Sequence, residues 1–168
     1  MSWQGQMGTM LRYLINDTDA TNYKFSDHRI ETTLLVAAQL TVVDASFPNN
    51  YQINVENCLL SPDPTDTETK DNNFINLVVL RAACVMLGSE IRSEASNAIS
   101  IKDGPSAIDL RGVAGTLSTL YMDICGKYEK LKDLYKKGVA VDYGQAVLGP
   151  YSPGSDYVSR GYTVGDFF

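Results

Sequence analysis

One segment of the chain is apolar on every side of a helix, and it fixes where the core must lie. The spacing predicts a helix over residues 73–95. Its apolar residues are Ile75, Leu77, Val78, Val79, Leu80, Ala82, Ala83, Val85, Met86, Leu87 and Ile91. Because these side chains surround nearly the whole helix, we expect it to be central, with other elements packed around it.

Three further helices are predicted. The first spans residues 7–15, and the second follows Ser26, a suitable N-cap, and continues to about residue 43. The second should bury the stripe Ile30, Leu34, Ala37, Ala38 and Thr41. The last spans residues 113–137, with Gly138 as its C-terminal cap. Its buried face should comprise Leu117, Leu120, Tyr121, Ile124, Tyr128, Leu131, Leu134 and Tyr135.

Two stretches show strand periodicity instead. Apolar and polar side chains alternate over residues 51–55, which predicts one half-buried strand or extended edge segment. Residues 98–110 alternate on both sides of Asp103-Gly104, which predicts a hairpin. The expected fold is therefore mainly α: a small bundle of about four helices with a short β-hairpin and an extended C-terminal arm.

The C-terminal arm is predicted over residues 139–168, after a helical body over residues 1–138. Its glycines and prolines exclude a packed element of its own. Its aromatic residues are Tyr143, Tyr151, Tyr157, Tyr162, Phe167 and Phe168. A segment this rich in aromatic rings is unlike an ordinary linker, and we expect these residues to bind a partner protein.

Charge and cysteine content limit the function classes. The formal net charge of -6 does not favour direct nucleic-acid binding. The chain has three cysteines, Cys58, Cys84 and Cys125, which is an odd number and includes no CxxC pair. We therefore expect small buried thiols, no disulfide framework and a reducing compartment. The N-terminus lacks a signal sequence, and no window approaches eighteen uninterrupted apolar residues, which predicts a soluble protein made in the cytoplasm.

Sites for chemistry are sparse in the sequence. Ser26, Asp27 and His28 are adjacent, but helix capping and first-turn polarity explain them better than a catalytic triad. The run from Asp17 to His28 begins like a calcium loop, but Asn22 replaces the glycine and His28 the glutamate. Neither GxGxxG nor GxxxxGK[ST] occurs. We predict no enzyme activity, no metal and no cofactor.

Lysines are concentrated near the end of the fourth predicted helix. They are Lys127, Lys130, Lys132, Lys136 and Lys137. Cations at this end complement the helix dipole, and Glu129 and Asp133 lie among them, so a mixed solvated face is one interpretation. The other is a docking patch of Lys130, Lys132, Lys136 and Lys137 for an acidic protein surface.

Several segments resemble the head-to-tail adaptors of tailed bacteriophages, also called connector or head-completion proteins. The resembling segments are Leu11–Asp17, Tyr23–Ile30, Ile99–Gly104 and Ile108–Leu110, followed by a long helix with Tyr128 and Tyr135 and by the trailing arm. The resemblance covers most of residues 7–137. Residues 51–71 form a longer and more acidic insertion than the family pattern, and the arm is unusually aromatic.

The resemblance implies a structural role in the virion, without catalysis. Such proteins form a homo-oligomeric ring, typically of twelve subunits, below the portal protein. The ring extends the DNA channel and receives the next neck or tail protein. By this analogy the arm reaches the portal or a neighbouring subunit, and DNA passes without specific binding. An acidic subunit suits a channel through which DNA must slide. The expected location is the neck of the virion, with no membrane.

Three alternatives stay open at this point. A tail-side or tail-terminator ring component would have the same structural character, usually with six subunits. A small enzyme or metal-binding domain would depend on His28. A non-viral helical interaction module would use the arm as a docking peptide and would form no ring.

Overall fold

The computed structural model describes residues 2–100 and 111–144, which form four helices and one antiparallel hairpin. The elements are α1 (Trp3–Leu14), α2 (Asp27–Asp44), β1 (Gln52–Asn54), β2 (Leu59–Ser61), α3 (Asn72–Ser100) and α4 (Arg111–Gly144). The chain divides into two compact units, Met1–Lys132 and Asp133–Phe168. The prediction of a mainly helical chain with a short hairpin is confirmed.

Helix α3 is central, as its apolar composition predicts. It packs against both α1 and α2. Its buried apolar residues are Phe74, Ile75, Leu77, Val78, Val79, Ala82, Ala83, Cys84, Met86 and Leu87. Residues Asn72–Glu94 are long and apolar enough to span a membrane by composition alone, but 56% of the most apolar window is buried inside the protein. A helix in the core of a protein passes the same test of length and composition.

Helices α1 and α2 cover one part of α3. All five residues of the stripe predicted for α2 are buried, and the Oγ atom of Ser26 accepts a hydrogen bond from the backbone N–H of Arg29 at 3.3 Å, so the N-cap is confirmed. Helix α1 begins at Trp3 rather than at residue 7. Its start is held because the Trp3 side chain is buried and its backbone N–H donates to Oδ2 of Asp63 at 3.0 Å.

The hairpin lies elsewhere than predicted. The strand expected over residues 51–55 is β1, and its antiparallel partner is β2, with Ile53 opposite Leu60. The backbone N–H of Asn57 donates to Oδ1 of Asn54 at 3.0 Å, so a side chain closes this turn without the Asp-Gly signal. The hairpin predicted over residues 98–110 was wrong for 98–100, which belong to α3, and 101–110 lie outside the described residues.

The acidic segment between β2 and α3 is tied to the core. Asp71, which is buried, accepts the backbone N–H of Phe74 at 3.0 Å and the hydroxyl of Tyr51 at 3.2 Å. The Tyr51 ring stacks on Phe74 with 3.8 Å between ring centroids. Asp71 therefore acts as the N-cap of α3 and joins the start of that helix to the hairpin.

Helix α4 is longer than predicted, and its buried face is narrower. It continues through Gly138 to Gly144, so the cap predicted at Gly138 was wrong and residues 139–144 of the predicted arm are helical. Ile124 and Tyr128 are buried, whereas Leu120 is 41% exposed and Leu134 is 65% exposed. A Cβ atom on Gly88 would lie 3.3 Å from Cε2 of Tyr121, so this glycine allows the Tyr121 ring close to α3.

A disulfide links α3 to α4, and the prediction that no cysteines pair was wrong. Cys84 is bonded to Cys125, with 5.4 Å between their Cα atoms. The sequence gives no sign of this pair because 41 positions separate the two cysteines and only the packing of the two helices brings them together. Cys58 is a free thiol and is half-buried.

Reduction of this disulfide should lower the free energy of unfolding. Closing a loop of 41 residues restricts the unfolded chain and contributes about 4 kcal/mol in the loop-entropy relation. Urea unfolding of the oxidised chain, with and without dithiothreitol, measures the effect. Cys84→Ser should lower the oxidised value similarly, whereas Cys58→Ser should not remove the response to reduction. Identical unfolding curves in both conditions would contradict the assignment.

Candidate interaction site

An open apolar groove lies on the first unit, between α1, α3 and the part of α4 before residue 132. Its volume is about 460 Å³. The residues that line it are Thr9, Met10, Tyr13, Leu14, Asn76, Val79, Leu80 and Leu131. Tyr13 is 72% exposed, so a large aromatic side chain forms one rim. Open apolar concavities of this size with a few polar groups are the usual form of binding sites.

The groove arises from the helical spacing of α1 and α3. Met7 and Leu11 are fully buried one turn apart on the core side of α1. Met10, Tyr13 and Leu14 share the adjacent face because residues three and four apart are neighbours on a helix. Apolar spacing predicts a helix over residues 7–15 but not the groove on its side. The available signal was Tyr13, whose position does not fit the buried stripe.

A buried ion-pair network holds the end of α1 against the start of α2. The guanidinium of Arg12 donates to Oδ2 of Asp17, to the backbone carbonyl of Phe25 at 3.0 Å and to Oδ1 of Asp27 at 2.7 Å. It also lies 3.7 Å from the centroid of the Tyr23 ring. Asp17 in turn accepts the backbone N–H of Lys24 at 2.8 Å. Arg12 therefore fixes the whole connection between the two helices.

The adjacent residues Ser26, Asp27 and His28 each contact a different part of the protein. Ser26 caps α2, and the Asp27 carboxylate binds Arg12. Nδ1 of His28 lies 4.0 Å from Sγ of Cys58. Among residues 2–100 and 111–144, no group of three His, Cys, Asp or Glu side chains is placed to hold a metal ion. These positions offer no assembled triad and no set of metal ligands within the described part of the chain.

The four lysines of the predicted docking patch fall on two sides of α4. At 100° per residue, Lys130 and Lys137 share one side of the helix and Lys132 and Lys136 share another. Lys132 pairs with Glu129, and its Nζ atom lies 5.3 Å from the centroid of the Tyr128 ring. Intramolecular contacts thus occupy Lys132, while Lys130, Lys136 and Lys137 are exposed.

The aromatic residues predicted to bind a partner lie mostly beyond the described chain. Tyr143 is in the last turn of α4. Those outside the described residues are Tyr151, Tyr157, Tyr162, Phe167 and Phe168. The assignment of all six residues to partner binding stays a prediction.

A second polar contact ties α4 to α2 and α3. The hydroxyl of the buried Tyr128 donates to Oδ2 of Asp44 at 2.6 Å. Arg81 of α3 lies beside this pair, with its guanidinium 4.9 Å from the centroid of the Tyr128 ring. Burial, followed by the hydrogen bond to Asp44, raises the pKa of Tyr128 well above its usual value because both favour the neutral phenol.

Replacing the buried arginine should test the network. Arg12→Met would leave the buried Asp17 carboxylate without its cationic partner and should lower the free energy of unfolding by about 3–5 kcal/mol, measured by urea unfolding. Lys127→Met is the matched control, because Lys127 pairs with Asp123 on the exposed surface of α4. The control should change stability by less than about 0.5 kcal/mol. Equal effects of the two substitutions would refute the structural role of Arg12.

The tyrosine contact gives a pH-dependent prediction. Tyr128→Phe should cost about 1 kcal/mol of unfolding free energy near neutral pH, because it leaves Asp44 without this donor. Because the pKa of Tyr128 is higher in the folded state, the unfolded state loses the phenol proton first, above about pH 10. The contribution of the Tyr128 hydroxyl to the free energy of unfolding is therefore lost as pH rises. The stability advantage of the wild type, measured by urea unfolding, should therefore shrink between about pH 10 and 12. A constant difference would contradict the burial of Tyr128.

Comparison with known proteins identifies no relative of this chain. The chain matches no family model, no curated protein and no solved structure at the significance required.

Proposed function

We propose that this chain is a head-to-tail adaptor of a tailed bacteriophage. In this role its subunits form a ring, typically of twelve copies, beneath the portal protein and extend the DNA channel. The ring connects the capsid to the next neck or tail protein, in the neck of the virion. The protein would be made in the host cytoplasm with its thiols reduced, the Cys84–Cys125 disulfide would form afterwards, and no membrane would be involved.

The Arg12 network is the observation that supports this proposal most. Two separate segments carry the resemblance to adaptors in the first part of the chain, Leu11–Asp17 and Tyr23–Ile30. Arg12 lies in the first segment and binds Asp27 in the second, and it also contacts Tyr23 there. The two segments that resemble adaptors are therefore held together by direct contacts, as expected of residues that specify a fold. Their contacts determine local structure rather than reaction chemistry.

The surface of the body suits an assembly protein. The groove beside Tyr13 is an open apolar concavity, which is a usual form of docking site. The segment after α4 supplies aromatic residues whose large rings have few rotatable bonds and bind preformed pockets well. The groove can receive an apolar side chain of a partner protein, and the aromatic segment can insert its own side chains into a partner.

Charge is consistent with a DNA channel. Tight binding to DNA depends on many lysine or arginine contacts to phosphate. The chain has 14 basic and 20 acidic residues, so its field does not favour such contacts. DNA could pass a ring of these subunits without being held.

Removing residues 145–168, the part of the predicted arm that follows α4, tests the proposed link to the portal. A chain ending at Gly144 keeps every described helix and should show the same circular dichroism per mole of chain in its helical bands. It should fail to join the portal protein encoded in the same genome when the two are co-expressed and purified. The cause would be loss of aromatic anchors rather than loss of the body.

A full-length variant separates aromatic anchoring from chain length. Tyr151, Tyr157, Tyr162, Phe167 and Phe168 are replaced together by serine. The control replaces Ser152, Ser155 and Ser159 by alanine in the same segment. Only the first variant should lose the portal. Normal docking by the variant without aromatic residues would remove the arm from the proposed mechanism.

A further inference from the structure

We infer that a second groove of the first unit binds a small anionic thiol of the glutathione type and directs it to the Cys84–Cys125 disulfide. This disulfide groove lies between α2, α3 and the part of α4 before residue 132, and its volume is about 440 Å³. Both cysteines line it, together with Arg81 and Arg92. The site requires only one folded chain, so it does not depend on an adaptor role.

The disulfide can be reached from the groove. Because both cysteines line an open concavity, a small molecule bound there meets the bond without unfolding of the helices. Cys84 is only 6% exposed, whereas Cys125 is half-buried. The rate of thiol–disulfide exchange depends on which sulfur the attacking thiolate can reach. Sγ of Cys125 is therefore the expected point of attack.

Two arginines of α3 lie on opposite sides of Cys84 along the helix. Arg81 precedes Cys84 by three residues and Arg92 follows it by eight, which places them about 4.5 Å and about 12 Å away along the helix axis. Guanidinium groups bind carboxylates with two parallel hydrogen bonds. Glutathione carries its thiol between two terminal carboxylates. The order of charges and sulfur in the groove therefore matches that of the ligand.

The first arginine is incompletely paired within the protein. Arg81 approaches Asp44 and Glu129 only to 4.0 Å, and its buried Nε atom has no hydrogen-bond partner among the described residues. Both carboxylates have closer partners, since Asp44 accepts a hydrogen bond from Tyr128 at 2.6 Å and Glu129 pairs with Lys132. Arg81 can thus take a further anion at lower cost than an arginine already held in a close ion pair.

The second arginine is open to solvent. Arg92 is exposed, and no ion pair of its guanidinium occurs among residues 2–100 and 111–144. A cation at the mouth of a concave site attracts small anions and raises their local concentration. Arg92 is therefore placed to attract the thiol, and Arg81 to hold a carboxylate beside the disulfide.

The reaction is a thiol–disulfide exchange in two steps. The bound thiolate attacks Sγ of Cys125, a bond forms between these two sulfurs, and the protein disulfide breaks with its electron pair on Sγ of Cys84, which takes a proton from water. A second thiolate attacks the sulfur of the first thiol and releases Cys125 as a thiolate, which water protonates. Two molecules of glutathione are oxidised to glutathione disulfide, and glutathione disulfide drives the reverse reaction.

The covalent link between α3 and α4 would therefore follow the state of the glutathione pool. In a reducing cytoplasm the groove admits the thiol that keeps Cys84 and Cys125 apart. The pair closes when the proportion of glutathione disulfide rises. The groove thus makes the disulfide a reversible link rather than a permanent one.

Reduction rates with thiols of different charge test the site on the oxidised full-length chain. Glutathione and mercaptopropionate are anionic, mercaptoethanol is neutral and cysteamine is cationic. Samples are quenched with acid and alkylated, and mass spectrometry of the peptides that contain Cys84 and Cys125 gives the rate constant for each thiol. Comparing a variant with the wild type for the same thiol cancels differences in intrinsic reactivity between the thiols.

Arg92→Gln removes one positive charge from the groove. It should slow reduction by glutathione and mercaptopropionate about threefold to fivefold, the effect of one unit charge a few ångströms away in water. It should leave mercaptoethanol unchanged and accelerate cysteamine, and high salt should abolish both changes. Lys130→Gln is the matched control, because Lys130 is an exposed cation of α4 outside the groove, and it should leave all four rates nearly unchanged.

Several results would overturn the inference. Equal slowing with all four thiols would mean that Arg92 acts on the fold, and no slowing with the anionic thiols would mean that the groove does not bind them. A rate independent of thiol concentration would show that the bond reacts only after unfolding. Acid quenching should trap glutathione on Cys125, and trapping on Cys84 would contradict the assigned point of attack.

Discussion

Burial of α3 is the constraint on which the rest of the structure depends. A helix that is apolar nearly all round is stable in water only when other elements cover most of its surface, since each exposed side chain forgoes the free energy of transfer from water. Helices α1 and α2 cover part of α3, and the disulfide between Cys84 and Cys125 joins it to α4. The groove beside Tyr13 lies where these helices leave the surface of α3 incompletely covered.

Polar contacts decide how the covering helices are placed. Arg12 fixes the connection from α1 to α2, Asp71 fixes the start of α3, and the Tyr128–Asp44 hydrogen bond joins α4 to α2. Each contact is buried or half-buried, where its geometry is hard to change without leaving an unpaired group. These contacts therefore fix the relative positions of the helices, and with them the shape of the surface that they form.

Periodicity along the sequence predicted the helices well, because the buried stripe of α2 and the all-round apolar character of α3 are local patterns. Contacts between distant residues could not be predicted in this way. The partner of Cys84, the closure of the hairpin turn by Asn54 and the role of Asp71 as a cap depend on tertiary packing or on one side-chain hydrogen bond. The groove was missed for the same reason, since Tyr13 and Leu80 belong to different helices.

The subunit count of the assembly tests the central claim most directly. Native mass spectrometry of the chain purified with the portal protein of the same genome would give that count together with the composition of the complex. The adaptor function predicts a complex that contains the portal and a ring of this chain, typically of twelve copies. A chain that stays monomeric and separate from the portal would contradict it, and a ring of six without portal would favour a tail-side component instead.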